Sequence, residues 1–122
     1  MGFDMKVLII DAQGGGMGKQ LVMAVKKEFP QAVVGAVGTN SLAASNMLKA
    51  GADYAATGEN AVVTGCRRSD VIIGPVGIAI ADSMHGEITP VMAAAVGQSE
   101  ARKLLIPMNQ CGNIIVGVKN TS

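Results

Sequence analysis

The stretch Lys6-Val-Leu-Ile-Ile-Asp11-Ala-Gln-Gly14-Gly-Gly-Met-Gly-Lys19 decides the fold. Lys6 to Ile10 is mostly aliphatic and β-branched, with no polar alternation, as in a strand covered on both faces. From Gly18 to Phe29, Leu21, Val22, Val25 and Phe29 recur at helical spacing while Lys19, Lys26 and Lys27 fall elsewhere, and Pro30 stops the run. The segment Gly14 to Lys19 is therefore a glycine loop between the first strand and first helix of an α/β domain.

The pattern repeats downstream. Ala32–Val37 reads as a second strand. Thr39-Asn40-Ser41 supplies capping side chains for a helix over Leu42–Ala50, which Gly51 ends. A short strand at Asp53–Ala56 leads through Thr57-Gly58 to a helix from Glu59 to Arg68, and another strand follows at Val71–Gly74. Pro75–Ile88 fits no single element. Thr89 and Pro90 read as the N-cap and first position of a helix reaching about Ala101. Leu104–Pro107 and Ile114–Val118, joined by Asn109-Gln-Cys-Gly112, predict a hairpin, and Pro107, unable to donate to a ladder, favours its edge. Strands alternating with helices predict one three-layer α/β domain over residues 1–122, its mostly parallel sheet of five to six strands covered by helices on both faces and finished by a C-terminal edge hairpin.

Composition narrows the function. Nearly half the residues (49%) are apolar and 16% are charged, which fits a buried sheet and argues against disorder. A net charge of +1 provides no field for a polyanion, and with no Trp, one Tyr and two Phe there are almost no rings for bases to stack on. No apolar run approaches the ~20 residues that a helix needs to cross a bilayer. Neither nucleic acid nor membrane is an expected partner, and Met1–Asp4 lack the basic start and apolar stretch of a secretory signal, which points to the cytoplasm. Cys66 and Cys111 match neither a zinc pair nor a redox motif and read as reduced, partly buried thiols.

Glycines let a ligand approach the backbone, and the helix that starts near Met17 offers free N–H groups and its positive dipole end to an anion, to which Lys19 can add a charge. The alternative is that the glycines only permit a tight turn and close packing. Known loops match incompletely. The dinucleotide fingerprint GxGxxG is out of register at Gln13, and the second strand ends in Gly38-Thr39-Asn40 where a ribose-binding acid belongs. The Walker A pattern fails at Gln13 and at Gln20, which replaces the Mg²⁺-binding hydroxyl residue. The Asp-x-His-x-x-Gly loop of cobalamin-binding domains is approached by Asp11-Ala-Gln-Gly14-Gly-Gly16, but Gln13 stands where the ligating histidine should be.

In open α/β sheets ligands bind beyond the carboxyl ends of the strands. That rule adds Thr39 and Asn40, Thr57 to Asn60, Gly74 to Gly77, and Met108 with Asn109. The expected ligand contacts are thus Asp11, Gln13, Gly14, Gly15, Gly16, Met17, Gly18, Lys19, Thr39, Asn40, Glu59, Asn60, Gly74, Pro75 and Asn109; for Thr39, Asn40 and Thr57, helix capping explains the residue equally well. Asp82, His85 and Glu87 cluster around Gly86 and are the candidate acid–base residues, since imidazole titrates near neutrality. With one histidine, no two-histidine metal motif exists, and no metal is expected.

Met5 to Val118 resembles an uncharacterised bacterial family of small Rossmann-like proteins classed as a domain of unknown function. The resemblance rests on Asp11-Ala-Gln-Gly-Gly-Gly-Met-Gly-Lys19, Gly38-Thr-Asn40, Ala56-Thr-Gly-Glu-Asn-Ala61, Asp70-Val-Ile-Ile-Gly-Pro-Val-Gly-Ile78, Gly86-Glu-Ile-Thr-Pro90 and Pro107-Met-Asn109. It implies one complete Rossmann-like domain, with Met1–Asp4 as an extension, and carries over no activity.

The leading expectation is a domain that binds a phosphate-bearing small molecule, a nucleotide or dinucleotide such as NAD(P), at Gly14–Lys19. The alternatives are a small enzyme acting on a phosphorylated metabolite through Asp82, His85 or Glu87, and a ligand-free homo-oligomer whose contact is Val76–Ala81, Met84 and Met92–Val96. A chain this short has limited core, so self-association fits the first two readings as well.

Overall fold

Strand β1 (Lys6–Asp11) lies in the middle of the sheet because Val7 to Ile10 are apolar on both faces and every one of them is buried. The computed structural model describes residues 4–109 and 112–119. Helix α1 (Gly16–Glu28) returns the chain to β2 (Val33–Gly38), and α2 (Ser41–Lys49) leads to the edge strand β3 (Tyr54–Thr57). Helix α3 (Glu59–Arg68) crosses to the other side of β1, where β4 (Val71–Pro75) pairs, and α4 (Pro90–Gln98) leads to β5 (Arg102–Ile106). The order is β3-β2-β1-β4-β5 and every pair is parallel.

Alternation along β1 divides the core into two layers. Val7 and Ile9 pack with Val22 of α1 and Ala43 and Met47 of α2, whereas Leu8 and Ile10 pack with Val62 and Cys66 of α3 and Met92, Ala93 and Val96 of α4. The single three-layer, Rossmann-like arrangement read from the sequence is therefore present. The strand order changes direction between β1 and β4, which puts the switch point of the sheet at their carboxyl ends, beside Asp11 and the glycine loop.

Caps fall where the side chains foretell. The Asn40 Oδ1 accepts the Ala43 N–H (2.9 Å), and the Thr89 Oγ1 accepts the Met92 N–H (3.1 Å) ahead of Pro90. Residues 75–88 form a 3₁₀ turn (Val76–Ala79) followed by a series of turns. Ile78, Met84 and Ile88 anchor this segment in the core, and the Asp82 N–H donates to the Ile88 carbonyl (2.7 Å). Asp82, Met84 and His85 all hold positive φ (64°, 57° and 57°), a conformation costing a non-glycine residue roughly 1 kcal/mol.

Two expectations need correction. The hairpin does not form: β5 is the last strand of the described residues, and 112–119 turns on itself, with the Ile115 N–H donated to the Asn109 Oδ1 (2.6 Å) and the Val118 N–H to the Ile115 carbonyl (3.1 Å). Local acceptors thus take the backbone donors that a ladder would need. The proposed turn residues Gln110 and Cys111 lie outside the described residues. The oligomer contact drawn from the sequence is only partly available, since Gly77, Ile78, Met84, Met92, Ala93 and Val96 are core residues of the chain, whereas Ala81 and Ala94 are exposed.

Cys66 is buried against the sheet, and burial, partly opposed by the Lys103 charge, pushes its thiol up to about 11, so it is an inert packing residue. Among the described residues no helix is long and apolar enough to cross a membrane.

Candidate functional site

Ile10 and Asp11 deliver the chain to the top of the sheet, and the next four residues turn it into α1. Gln13 holds φ 53° and Gly15 holds φ 74°, the two left-handed residues that make the turn sharp. The buried Asp11 carboxylate organises it from below. Its Oδ2 accepts the Gly18 N–H (2.6 Å) and its Oδ1 the Ala12 N–H (2.8 Å), so a strand residue caps the third position of a helix whose own N-cap, Gly15, has no side chain. Burial raises the Asp11 pKa, the Gly18 and Ala12 N–H groups draw it back, and the Glu87 charge raises it further; the net shift is upward.

The glycines divide by role. A Cβ at Gly18 would collide with the Met47 sulfur and lie 2.9 Å from the Asp11 Cβ, and one at Gly15 would lie 2.8 Å from the Ala43 Cα; these two permit α1 to pack on β1 and α2. At Gly14 and Gly16 a Cβ would meet nothing within 4 Å, and neither has a positive φ. Close packing and turn geometry therefore explain half of the glycine run and leave the other half open to a ligand.

That half borders a pocket of 160 Å³ lined by Asp11, Ala12, Gln13, Gly14, Gly15, Gly16, Met17, Pro75 and Met108. The Gly15 N–H is used by the Ala12 carbonyl, the Gly18 N–H by Asp11 and the Gln13 N–H by Glu87. Among the described residues the N–H groups of Gly14, Gly16 and Met17 have no protein acceptor. They face the ordinary choices of a helix N-terminus, water or an anion. Lys19 is exposed one turn along α1.

A second carboxylate closes the site on the β2 side. The Glu87 Oε1 accepts the Gln13 N–H (2.9 Å), the Thr39 hydroxyl (2.6 Å) and an Asn40 amide hydrogen (3.0 Å). Burial pushes the Glu87 pKa up, but the bonds from Thr39, Gln13 and Asn40 and the nearby His85 outweigh it, and the carboxyl titrates below its ordinary value. The same Asn40 amide reaches the Gln13 carbonyl (2.9 Å), and the Asn46 amide donates to the Gly14 carbonyl (2.8 Å), so α2 holds the loop from one side.

Of the residues expected from the sequence, Asp11, Gln13 to Met17 and Pro75 border the pocket. Thr39 and Asn40 instead hold Glu87. Glu59 accepts the Thr89 hydroxyl (2.7 Å) at the start of α4, and Asn60 is exposed on α3 and does not line the pocket. Gly74 is buried beside the Ile10 carbonyl and Ile78, a packing position, and Asn109 serves the Ile115 N–H. Among the three acid–base candidates only Glu87 reaches the glycine loop; Asp82 and His85 are exposed on their turn. Sequence reading missed Ala12 and Asn46. An asparagine inside a helix, where it is a poor former, is the signal that could have singled out Asn46.

A family model described as a domain of unknown function (DUF3842) matches residues 6–122. No curated protein and no solved structure matches the chain.

Proposed function

Since the chain belongs to this DUF3842 family, whose description assigns no activity, we propose from the site alone that the protein binds a phosphate-bearing small molecule, a nucleotide or dinucleotide, at the glycine loop. One observation carries the reading: two glycines that the fold does not require, Gly14 and Gly16, border a 160 Å³ pocket at the positive end of a thirteen-residue helix, where the N–H groups of Gly14, Gly16 and Met17 have no acceptor among the described residues. Lys19, exposed one turn along α1, would supply a positive charge for the phosphate if its side chain turns back over the loop. The remainder of the ligand would lie along the carboxyl edge of the sheet, over Pro75 and Met108 on one side or toward Thr39 on the other.

Calorimetry with pyrophosphate, adenine nucleotides, NAD(P), flavin nucleotides and coenzyme A tests this. At least one phosphate compound is expected to bind. Gly14→Ala and Gly16→Ala should each weaken it roughly tenfold or more, about 1.4 kcal/mol, because a methyl group enters the pocket. Their melting temperatures should stay within a few degrees of the wild type, since no neighbour opposes the added carbon. A panel that gives no heat and no thermal shift sinks the proposal.

Self-association is a second reading, favoured by α4. Its nine residues include no charge, yet only one side is in the core: Val91 is half exposed, and Ala94 is exposed beside a groove between α3 and α4 that also holds Val63 and Ala95. A helix apolar all round is ordinarily covered. Arg67, Asp70 and Glu100 stand on the same groove, and a two-fold axis passing between them would set Arg67 of one copy against a carboxylate of the other. Sedimentation should give a dimer that Val91→Glu converts to monomer without loss of helicity, and a wild-type monomer at high concentration removes this reading.

A further inference from the structure

We propose that Glu87 is a ribose-recognition residue: its free carboxylate oxygen takes the 2′,3′-diol of a ribonucleotide whose phosphates lie on the glycine loop. The inference rests on the phosphate reading above and names the ligand class for the same site.

Two arrangements of Glu87 would be physically reasonable, and the hydrogen bonds separate them. Were the carboxylate an internal anion filling the site, it would take the free N–H groups of the glycine loop. It takes none of those of Gly14, Gly16 and Met17, and it does not line the 160 Å³ pocket. Instead three donors from Gln13, Thr39 and Asn40 converge on Oε1, while Oε2 accepts from none of the described residues. The side chain is half-buried, so one oxygen is fixed and the other is presented. A carboxylate so held keeps its charge to lower pH than an ordinary glutamate, and it accepts hydrogen bonds only.

Position supplies the other half of the argument. Glu87 lies between Gln13, just after β1, and Thr39-Asn40, just after the adjacent parallel strand β2. A nucleotide with its phosphate at the N-terminus of α1 and its sugar toward β2 brings the ribose to this point, which is where an acid reads the hydroxyls in dinucleotide-binding sheets. Here β2 itself ends in Gly38-Thr39-Asn40 and has no acid; the carboxylate comes from the turn before α4 and is clamped to the same place. A diol has two hydrogens to donate to Oε2. A 2′-phosphate has only acceptors and negative charge, and Arg67, Arg68 and Arg102 lie at the opposite ends of their elements, by the start of the sheet.

The test compares calorimetric affinities of ADP with 2′-deoxy-ADP, of AMP with adenosine 2′,5′-bisphosphate, and of inorganic pyrophosphate, for the wild type and for Glu87→Gln. Glutamine keeps Oε1 for its three donors and replaces Oε2 with a donor, so the variant changes the presented atom and spares the clamp. ADP is expected to bind the wild type at least about tenfold more tightly than 2′-deoxy-ADP, and AMP than adenosine 2′,5′-bisphosphate, and Glu87→Gln should collapse those ratios while pyrophosphate binding is retained. The wild-type ratios alone keep the proposal open to refutation if the variant fails to fold. Equal affinities in the wild type, or ratios unchanged in Glu87→Gln, overturn ribose recognition and leave the phosphate reading standing. Absence of binding by pyrophosphate and every nucleotide defeats both readings together.

Discussion

Asp11→Asn is expected to destabilise the protein by about 1–3 kcal/mol, the cost of leaving one buried donor without a partner. The carboxylate is 5% exposed and accepts two backbone N–H groups, from Ala12 and Gly18. An asparagine offers one acceptor and must turn its NH₂ toward the other donor. Either the helix loses its third-position cap or the turn loses the Ala12 bond, and one buried donor is left without a partner. Urea unfolding at neutral pH measures the loss.

The same pair of proteins carries a pH signature with a definite sign. Burial lifts the Asp11 pKa in the folded state above its unfolded value of 3.8 despite the two N–H groups. Its contribution is therefore fully present below 3.8, declines as pH rises through the folded value, and is constant beyond it. Asparagine has no such limb, so the stability gap between wild type and variant should widen on acidification from pH 7 toward 4. Glu87 and Asp53 have the opposite sign, because each is held below its ordinary value and loses its contribution as pH falls; Asp53 is common to the two proteins and cancels in the difference, whereas Glu87, whose charge is coupled to Asp11, cancels only in part. A gap that narrows on acidification would show that the N–H groups outweigh burial at Asp11.

The frame of this domain is written locally. Lys6–Ile10 has no polar residue on either face after its first, and a strand that apolar has to be central. Glu59–Arg68 is bounded by Gly58 and by Ser69-Asp70, and the helix has those bounds in the fold. Thr89-Pro90 marks the start of α4 through one side-chain acceptor and one missing donor. The partner of a late strand is not written this way. Leu104–Ile106 is equally a strand beside β4 or beside a following segment, and the choice depends on whether Ile115 finds its acceptor in a ladder or, as it does, in Asn109. The site has the same divided character. Its loop is a contiguous motif, but Glu87 stands 74 residues from the Gln13 N–H that it binds. It arrives through positive φ at Met84 and His85, which local propensity disfavours and which the burial of Met84 and Ile88 enforces. On the ribose proposal, the acid that the end of β2 lacks would come from this turn.

Gly15→Ala should be the most damaging single methyl in the glycine run, at about 3 kcal/mol or more. Two independent costs meet at this residue. Its φ of 74° is left-handed, which costs an alanine roughly 1–2 kcal/mol, and its Cβ would lie 2.8 Å from the Ala43 Cα and 3.0 Å from the Ala43 carbonyl oxygen. Those neighbours are backbone of α2 and cannot rotate away, so relief requires α1 and α2 to separate, an overpacking penalty of typically 1–3 kcal/mol. For a domain of this size the sum corresponds to a fall in melting temperature on the order of 10 °C. Gly14 and Gly16 flank the same residue, and the same methyl there meets no neighbour. The three alanine variants, compared by thermal unfolding and by calorimetry with pyrophosphate, therefore separate the two uses of glycine in one loop: the middle residue should lose stability, and its neighbours should lose affinity. Equal stability losses at all three positions would mean that the open space over Gly14 and Gly16 serves the turn itself, and the case for a ligand there would lose its main support.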